Sequence, residues 1–354
     1  MVEEEITRQE ERRKRRTSSL IEEIATKKQR KCSSKISLDD LTNVNQCVSF
    51  TGFTPQAVRS FLAQYGSTFE PPSTFGAGRR STQTAESRGL FILNYLRNGP
   101  SLMSQRRIFG LCPSTLEAIL SDVIPRLLPE IGPRSLQIGL GGMSVPFEHF
   151  ENCFAAVDTT FIPHPHPPNI SFEQAKNYFS VKHGAYGYKW LAAVNSSGQL
   201  VFLSNKYPGG AHDLTICTDE TVLPFIRQIC GSTYLMADKG FIGLDAHINA
   251  LIPIKQSSTR PLSLSDKEFN LNIAKTRILV ENFFGRLKVV WSIFAGYSGI
   301  HANHLDDRFH LAAYLTNFHL LEKPLRKKTR EIAVAEDDSI PDEFSETTEI
   351  QDDD

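Results

Sequence analysis

From residue 37 to 145 the apolar positions recur at helical spacing and are interrupted by capping residues and prolines. Thr54-Pro55 predicts a helix through Tyr65, with Thr54 as its cap and Pro55 at the first helical position. A second helix is predicted from Thr84 to Arg97, with Leu90, Phe91, Leu93 and Leu96 on its apolar side and Asn98-Gly99-Pro100 as its stop. A third ends at Phe109, Gly110-Leu111-Cys112 makes a turn, and Pro113 opens a helix to about Leu127. That pair has the pattern of a helix-turn-helix. Arg106 and Arg107 close its first helix. Ser114, Thr115 and Glu117 open the second, where a recognition helix would meet bases.

Beyond the Gly-rich stretch from Ile138 to Met143 the pattern changes to alternating strands and helices. Phe154 to Ile162 is a β-branched, apolar strand that carries one acid, Asp158. Tyr188 to Val194 and Leu200 to Ser204 flank the turn sequence Asn195-Ser196-Ser197-Gly198 and predict a hairpin. Asp213 or Thr215 is expected to cap a helix reaching Ile229. Thr233 to Ala237 predicts a short strand ending at Asp238-Lys239-Gly240, and Leu251 to Ile254 another. Residues 256–270 are polar and loop-like, and helices follow over Asn272 to Val290 and Asp306 to Leu321.

Strand with acid, two hairpin strands, helix, strand with acid, later helix with acid: this is the element order of a ribonuclease-H-like α/β fold. The fold class expected is therefore a mixed sheet flanked by helices and preceded by a small all-helical domain. In such a sheet the ends of the first and fourth strands lie side by side, so Asp158 and Asp238 converge and a helix packed across them adds Glu281. Three carboxylates at one point repel unless a cation binds them. Oxygen-only ligands suit Mg²⁺ or Mn²⁺, and two such ions can activate a water and stabilise a leaving 3′ oxygen. A charged residue in a buried strand is costly without a partner, which singles out Asp158. Asp213 remains open between fourth ligand and helix cap.

The segments AAVDTTFI, YFSVKHGAYGYKW, YPGGAHDLTI, YLMADKGFIG and RILVENFFGRLK resemble the successive blocks of Harbinger-type transposases and their DDE-superfamily endonuclease relatives. The resemblance spans roughly 150–322, and more loosely the helical region 37–130. It implies that Asp158, Asp238 and Glu281 are the catalytic triad, with Asp213 also on metal. It further implies duplex DNA as substrate and a Myb-like partner protein. Arg277, Glu281 and Lys288 have the spacing R-x₃-E-x₆-K of related cut-and-paste transposases. At 100° per residue they fall at about 0°, 40° and 20°, one face of one helix, from which both cations would hold phosphates. Two positions depart from the pattern. VDTT stands where the family has Asp-Gly-Thr, and Ala274 where a tyrosine leads the signature.

Charge changes the picture at both ends. The whole chain is near neutral at −1, yet 331–354 hold 11 acidic residues and no Lys or Arg. The remaining body has 39 basic against 29 acidic residues, a net of about +10, as in proteins that approach nucleic acid. Arg12 to Arg16 and Lys27 to Lys31 form two basic clusters with the look of a bipartite nuclear signal. The expected division is thus a charged arm (1–36), a helical DNA-binding domain (37–145), a nuclease domain (146–325) and an acidic tail (326–354). Six cysteines without a C-x-x-C pair predict reduced thiols of a soluble, intracellular protein. No apolar run approaches the roughly 18–20 residues of a membrane span. The expected activity is metal-dependent DNA cleavage in the nucleus, with strand transfer by the freed 3′-OH as a further step the same site supports. The alternative is a domesticated transposase that binds DNA or protein without cutting. Homo-oligomerisation and presence in the cytoplasm stay open.

Overall fold

The computed structural model describes residues 36–325 except 42, 72–82, 100, 143–144, 168–169 and 257–260. The basic clusters of the arm and the acidic tail lie outside the described residues. Five helices come first: α1 (Val44–Thr51), α2 (Pro55–Phe69), α3 (Ala85–Asn98), α4 (Leu102–Phe109) and α5 (Pro113–Gly141). Asn43, Thr54, Thr84 and Ser101 cap the first four, each side chain accepting from the backbone N–H three residues on.

Helix α5 continues far past Leu127, through Pro125, Pro129 and Pro133. A proline inside a helix costs about 3 kcal/mol in isolation. Packing outweighs that here: Leu116, Leu120, Val123, Leu127 and Ile131 are all buried. The last helix of the chain lies along α5, with Ser135 Oγ donating to Tyr314 O and Asn317 Nδ2 donating to Ser135 O.

The sheet follows. Its strands are β1 (Cys153–Pro163), β2 (Phe179–Ser180), β3 (Ala185–Val194), β4 (Leu200–Leu203), β5 (Tyr207–Pro208), β6 (Tyr234–Met236) and β7 (Ala250–Leu251). The order is β2-β3-β1-β6-β7, with β4 and β5 also on β3. Strand β1 is antiparallel to β3 and parallel to β6, which is parallel to β7. This mixed α/β arrangement is consistent with a ribonuclease-H-like nuclease fold. Helices α6 (Phe172–Lys176), α7 (Asp213–Cys217), α8 (Leu223–Cys230), α9 (Leu264–Val290) and α10 (Ala302–Glu322) complete it.

Two boundaries differ from expectation for local reasons. The single helix expected from Asp213 to Ile229 is broken between α7 and α8, because Asp219 Oδ1 accepts from both the N–H (2.9 Å) and the hydroxyl (2.6 Å) of Thr221 and forms a turn. Helix α9 starts at Leu264, inside the stretch expected as a loop, because Ser263 and Asp266 form a capping box.

One sheet face packs on α7 and α8 around Val157, Leu191, Ile216, Ile226 and Leu235. The other packs on α9 and α10, and its apolar cluster runs without interruption into Phe50, Phe91, Phe109 and Leu120 of the first helices. The helical segment therefore shares one core with the sheet, and the expected separate helix-turn-helix domain is not supported. Helices α4 and α5 do meet at 96° across Gly110, and Ser114 and Thr115 at the start of α5 are exposed, but Glu117 is engaged elsewhere. Ser114 and Thr115 contact Cys112 Sγ at 3.1 and 2.9 Å, and Glu117 pairs with Arg308 of α10 at 2.6 Å. No single helix among the described residues is long and apolar enough to cross a membrane. Five cysteines are described, all unpaired; four are buried and Cys112 is exposed.

Candidate active site

Strand register sets the first two acids. Ala156 of β1 pairs with Met236 of β6, and Asp158 and Asp238 each lie two residues further along these parallel strands. Two residues in a strand restore the same face, so the carboxylates stand side by side where β6 has just ended. Asp238 has extended backbone and accepts from Gly240 N at 2.6 Å. A side chain at 240 would crowd both acids: an added Cβ would lie 2.9 Å from Asp238 Oδ1 and 3.1 Å from Asp213 Oδ2, so one carboxylate would have to shift.

The third acid comes from α9. Ile273, Val280, Phe283 and Leu287 bury that helix against the sheet, which lays Arg277 and Glu281 across the carboxylate edge. Arg277 points inward, with 13% of its side chain exposed. Its Nη2 stands 2.9 Å from Asp158 Oδ2, 3.7 Å from Asp238 Oδ2 and 3.6 Å from Glu281 Oε1. Asp213 approaches from the opposite sheet face. It is the first residue of α7, and His212 occupies the cap position without a side-chain bond. The Asp213 carboxylate instead accepts from Thr159 Oγ1 at 2.7 Å and Lys189 Nζ at 3.1 Å. It is thus no helix cap. The VDTT departure also finds its reason here, since Thr159 supplies a bond that glycine could not.

Burial pushes the Asp158 carboxyl up to about 6 from its ordinary 3.8. The Arg277 guanidinium and the Thr159 N–H oppose the rise, while the negative charges of Asp238 and Asp213 add to it. Four carboxylates face two cations, Arg277 and Lys189, which leaves two negative charges at the edge. An all-carboxylate donor set short of two positive charges fits a hard divalent ion such as Mg²⁺ or Mn²⁺. Yet among the described residues no three of His, Cys, Asp and Glu form a ready-made metal group. The guanidinium stands at the centre of the acids.

The remaining predicted residues divide. Lys288 is partly buried and its Nζ donates to Phe161 O at 3.3 Å, with burial lowering its pKa. It does not sit beside Glu281 as a free surface charge. Arg106 and Arg107 are exposed at the end of α4, and no bond among the described residues links them, Ser114 or Thr115 to the carboxylates. Sequence reasoning missed Lys189 and the inward turn of Arg277. Lys189 carried a usable signal: a lysine inside the buried strand AYGYKWLAAV needs an acid partner.

No curated protein and no solved structure matches the chain. Residues 157–317, which hold all four acids, Arg277 and Lys189, match the family model described as DDE superfamily endonuclease, and it is to this superfamily that the sheet and its carboxylate edge are similar.

Proposed function

We propose that this chain is a divalent-metal-dependent DNA endonuclease of the transposase type, with its reaction at the edge formed by Asp158, Asp238 and Glu281. The observation that carries the reading is the convergence of these three acids, from two strands and a helix, within 4 Å of one cationic nitrogen. Asp158, Asp238 and Glu281 would hold Mg²⁺ or Mn²⁺, as one or two ions, with Asp213 beside them. The metal supplies activation of a water and stabilisation of the leaving 3′ oxygen. Thr159 and Lys189 orient Asp213. Lys288, whose Nζ is held against Phe161 O, would contact a backbone phosphate of the bound duplex. Attack of the freed 3′-OH on target DNA, the Harbinger subtype, a Myb-like partner and action in the nucleus belong to the same reading. Their support is the block sequences and the basic arm.

The deciding experiment is cleavage of duplex DNA carrying the sequences that flank the gene on both sides, with Mg²⁺ or Mn²⁺ and with D158N as control. Metal-dependent nicking lost in D158N supports the reading, and equal nicking by both proteins rejects it. A second reading, a DNA- or protein-binding descendant that no longer cuts, is favoured by Arg277, which already neutralises part of the cluster. Tight DNA binding with no cleavage in either metal would select it.

A further inference from the structure

Arg277 is an unusual ion-pair partner. A structural arginine satisfies one carboxylate closely, frequently with two parallel bonds, and gives its remaining N–H groups to other acceptors. Here a single nitrogen, Nη2, serves three carboxylates, with only one within hydrogen-bond distance. The Nε atom is buried and has no hydrogen-bond partner among the described residues, a state that costs free energy. Glu281, the acid one helical turn further along α9, has 58% of its side chain exposed, so the cluster opens to solvent on the side of the arginine's own helix. The guanidinium is therefore central, under-bonded and next to an exit.

We infer that Arg277 is a displaceable internal cation: it holds Asp158, Asp238 and Glu281 together in the metal-free protein and leaves their centre when a divalent ion enters. The inference rests on the metal reading given above. Its physical basis is exclusion. Two cations cannot share carboxylate oxygens at 2.9–3.7 Å without strong repulsion in a partly buried site. Metal affinity is then set by competition with the protein's own positive charge, and the helix that supplies one ligand also supplies the competitor. The same arrangement explains why the acids approach closely in the absence of metal without forcing one another apart.

The test is Mn²⁺ binding to the full chain, read from the electron paramagnetic resonance signal of free Mn²⁺, for the wild type, R277Q and R277K. The expected result is that R277Q binds Mn²⁺ roughly tenfold or more tightly than the wild type, because a competing unit charge is gone. R277K, which keeps the charge, should stay near the wild-type value. Without metal R277Q should melt below the wild type, and saturating Mn²⁺ should reverse that order. Equal or weaker Mn²⁺ binding by R277Q overturns the inference and leaves the metal reading standing. Absence of Mn²⁺ binding in all three overturns both. Should R277Q fail to fold, hydrogen exchange at the wild-type Arg277 Nε decides the matter. Exchange must speed up markedly on adding Mg²⁺, and an unchanged rate at saturation overturns the displacement.

Discussion

Two inward-facing arginines on neighbouring long helices, the partly buried Arg277 on α9 and the buried Arg308 on α10, meet acids in opposite ways. Arg308 has 5% of its side chain exposed, gives one nitrogen to Glu117 at 2.6 Å and the other to the hydroxyl of Tyr95, and lies 5.2 Å from the Tyr95 ring. One charge meets one charge, and the side chain pins α10 to α3 and α5. Arg277 shares one nitrogen among three carboxylates, and its Nε has no partner among the described residues. Balanced charge with satisfied bonds marks a structural pair. Surplus charge with unsatisfied bonds marks a place built for something else, since perturbed, imperfectly paired charges cluster at functional sites.

The largest effect should separate the two regions by activity. D158N, D238N and E281Q are each expected to lower DNA cleavage by roughly 10²-fold or more, the loss typical of damaged metal sites, while duplex binding persists. R308M should leave the rate of the folded fraction unchanged. A cleavage assay on the four variants checks both halves, and near wild-type cutting by any of the three acid variants removes that residue from the site.

Stability should show the reverse order. R308M breaks a buried pair, which generally costs 3–5 kcal/mol; Glu117 keeps 38% of its side chain in water, so about 3 kcal/mol is expected here. Urea denaturation without metal measures it. D158N removes a buried negative charge and should be neutral or stabilising under the same conditions.

The balanced and surplus regions also titrate in opposite senses. Asp158 is raised from 3.8 to about 6, so the folded protein binds a proton more readily than the unfolded chain between those values. Its contribution to stability is present at low pH and fades as pH rises through 6. His319 of α10 is lowered from 6.5 to about 4, chiefly by burial and then by Arg286, Lys323 and Arg97. Its contribution is present above 6.5 and is lost as pH falls towards 4. The two nearly offset in the wild type. D158N should therefore lose about 2–3 kcal/mol between pH 6.5 and 4, and H319Q should gain a similar amount. Equal acid sensitivity of both variants would break the opposition.

How much of this was legible in the sequence follows from which interactions are local. The cap at Thr54, the helix that follows Thr84, the Asn195 turn and the strand around Asp158 were readable, because each depends on neighbours in the chain. The acid cluster was readable from element order, since parallel pairing of β1 with β6 brings Asp158 and Asp238 to one height. The direction of Arg277 was not. Helical spacing places Arg277 and Glu281 on one face but leaves open whether the longer side chain reaches outward to phosphate or inward to Asp158, 119 residues away. The proline-bearing extension of α5 was equally hidden, because what sustains it is α10, far along the chain. The shared core escaped for the same reason: a periodic pattern shows that a helix has an apolar face and not which element covers it.

The smallest effect concerns where DNA lies. Two cationic positions compete, the partly buried Lys288 against β1 and the exposed pair Arg106 and Arg107 at the end of α4. Each lost phosphate contact on duplex DNA lowers the slope of log affinity against log salt by about 0.9. Ser114 and Thr115 are exposed at the start of α5, but Glu117 is held by Arg308 and the carboxylate cluster lies at the sheet edge, so the path is expected to follow that edge. K288A should therefore flatten the slope by about one contact's worth, and the double variant R106A/R107A should leave it unchanged. Thermal melting of both variants controls for loss of fold, because Lys288 also donates to Phe161 O and its removal frees that carbonyl at a partly buried position. A flattened slope in R106A/R107A with none in K288A would move the duplex onto the helical side and restore the α4–α5 corner as the reader of DNA.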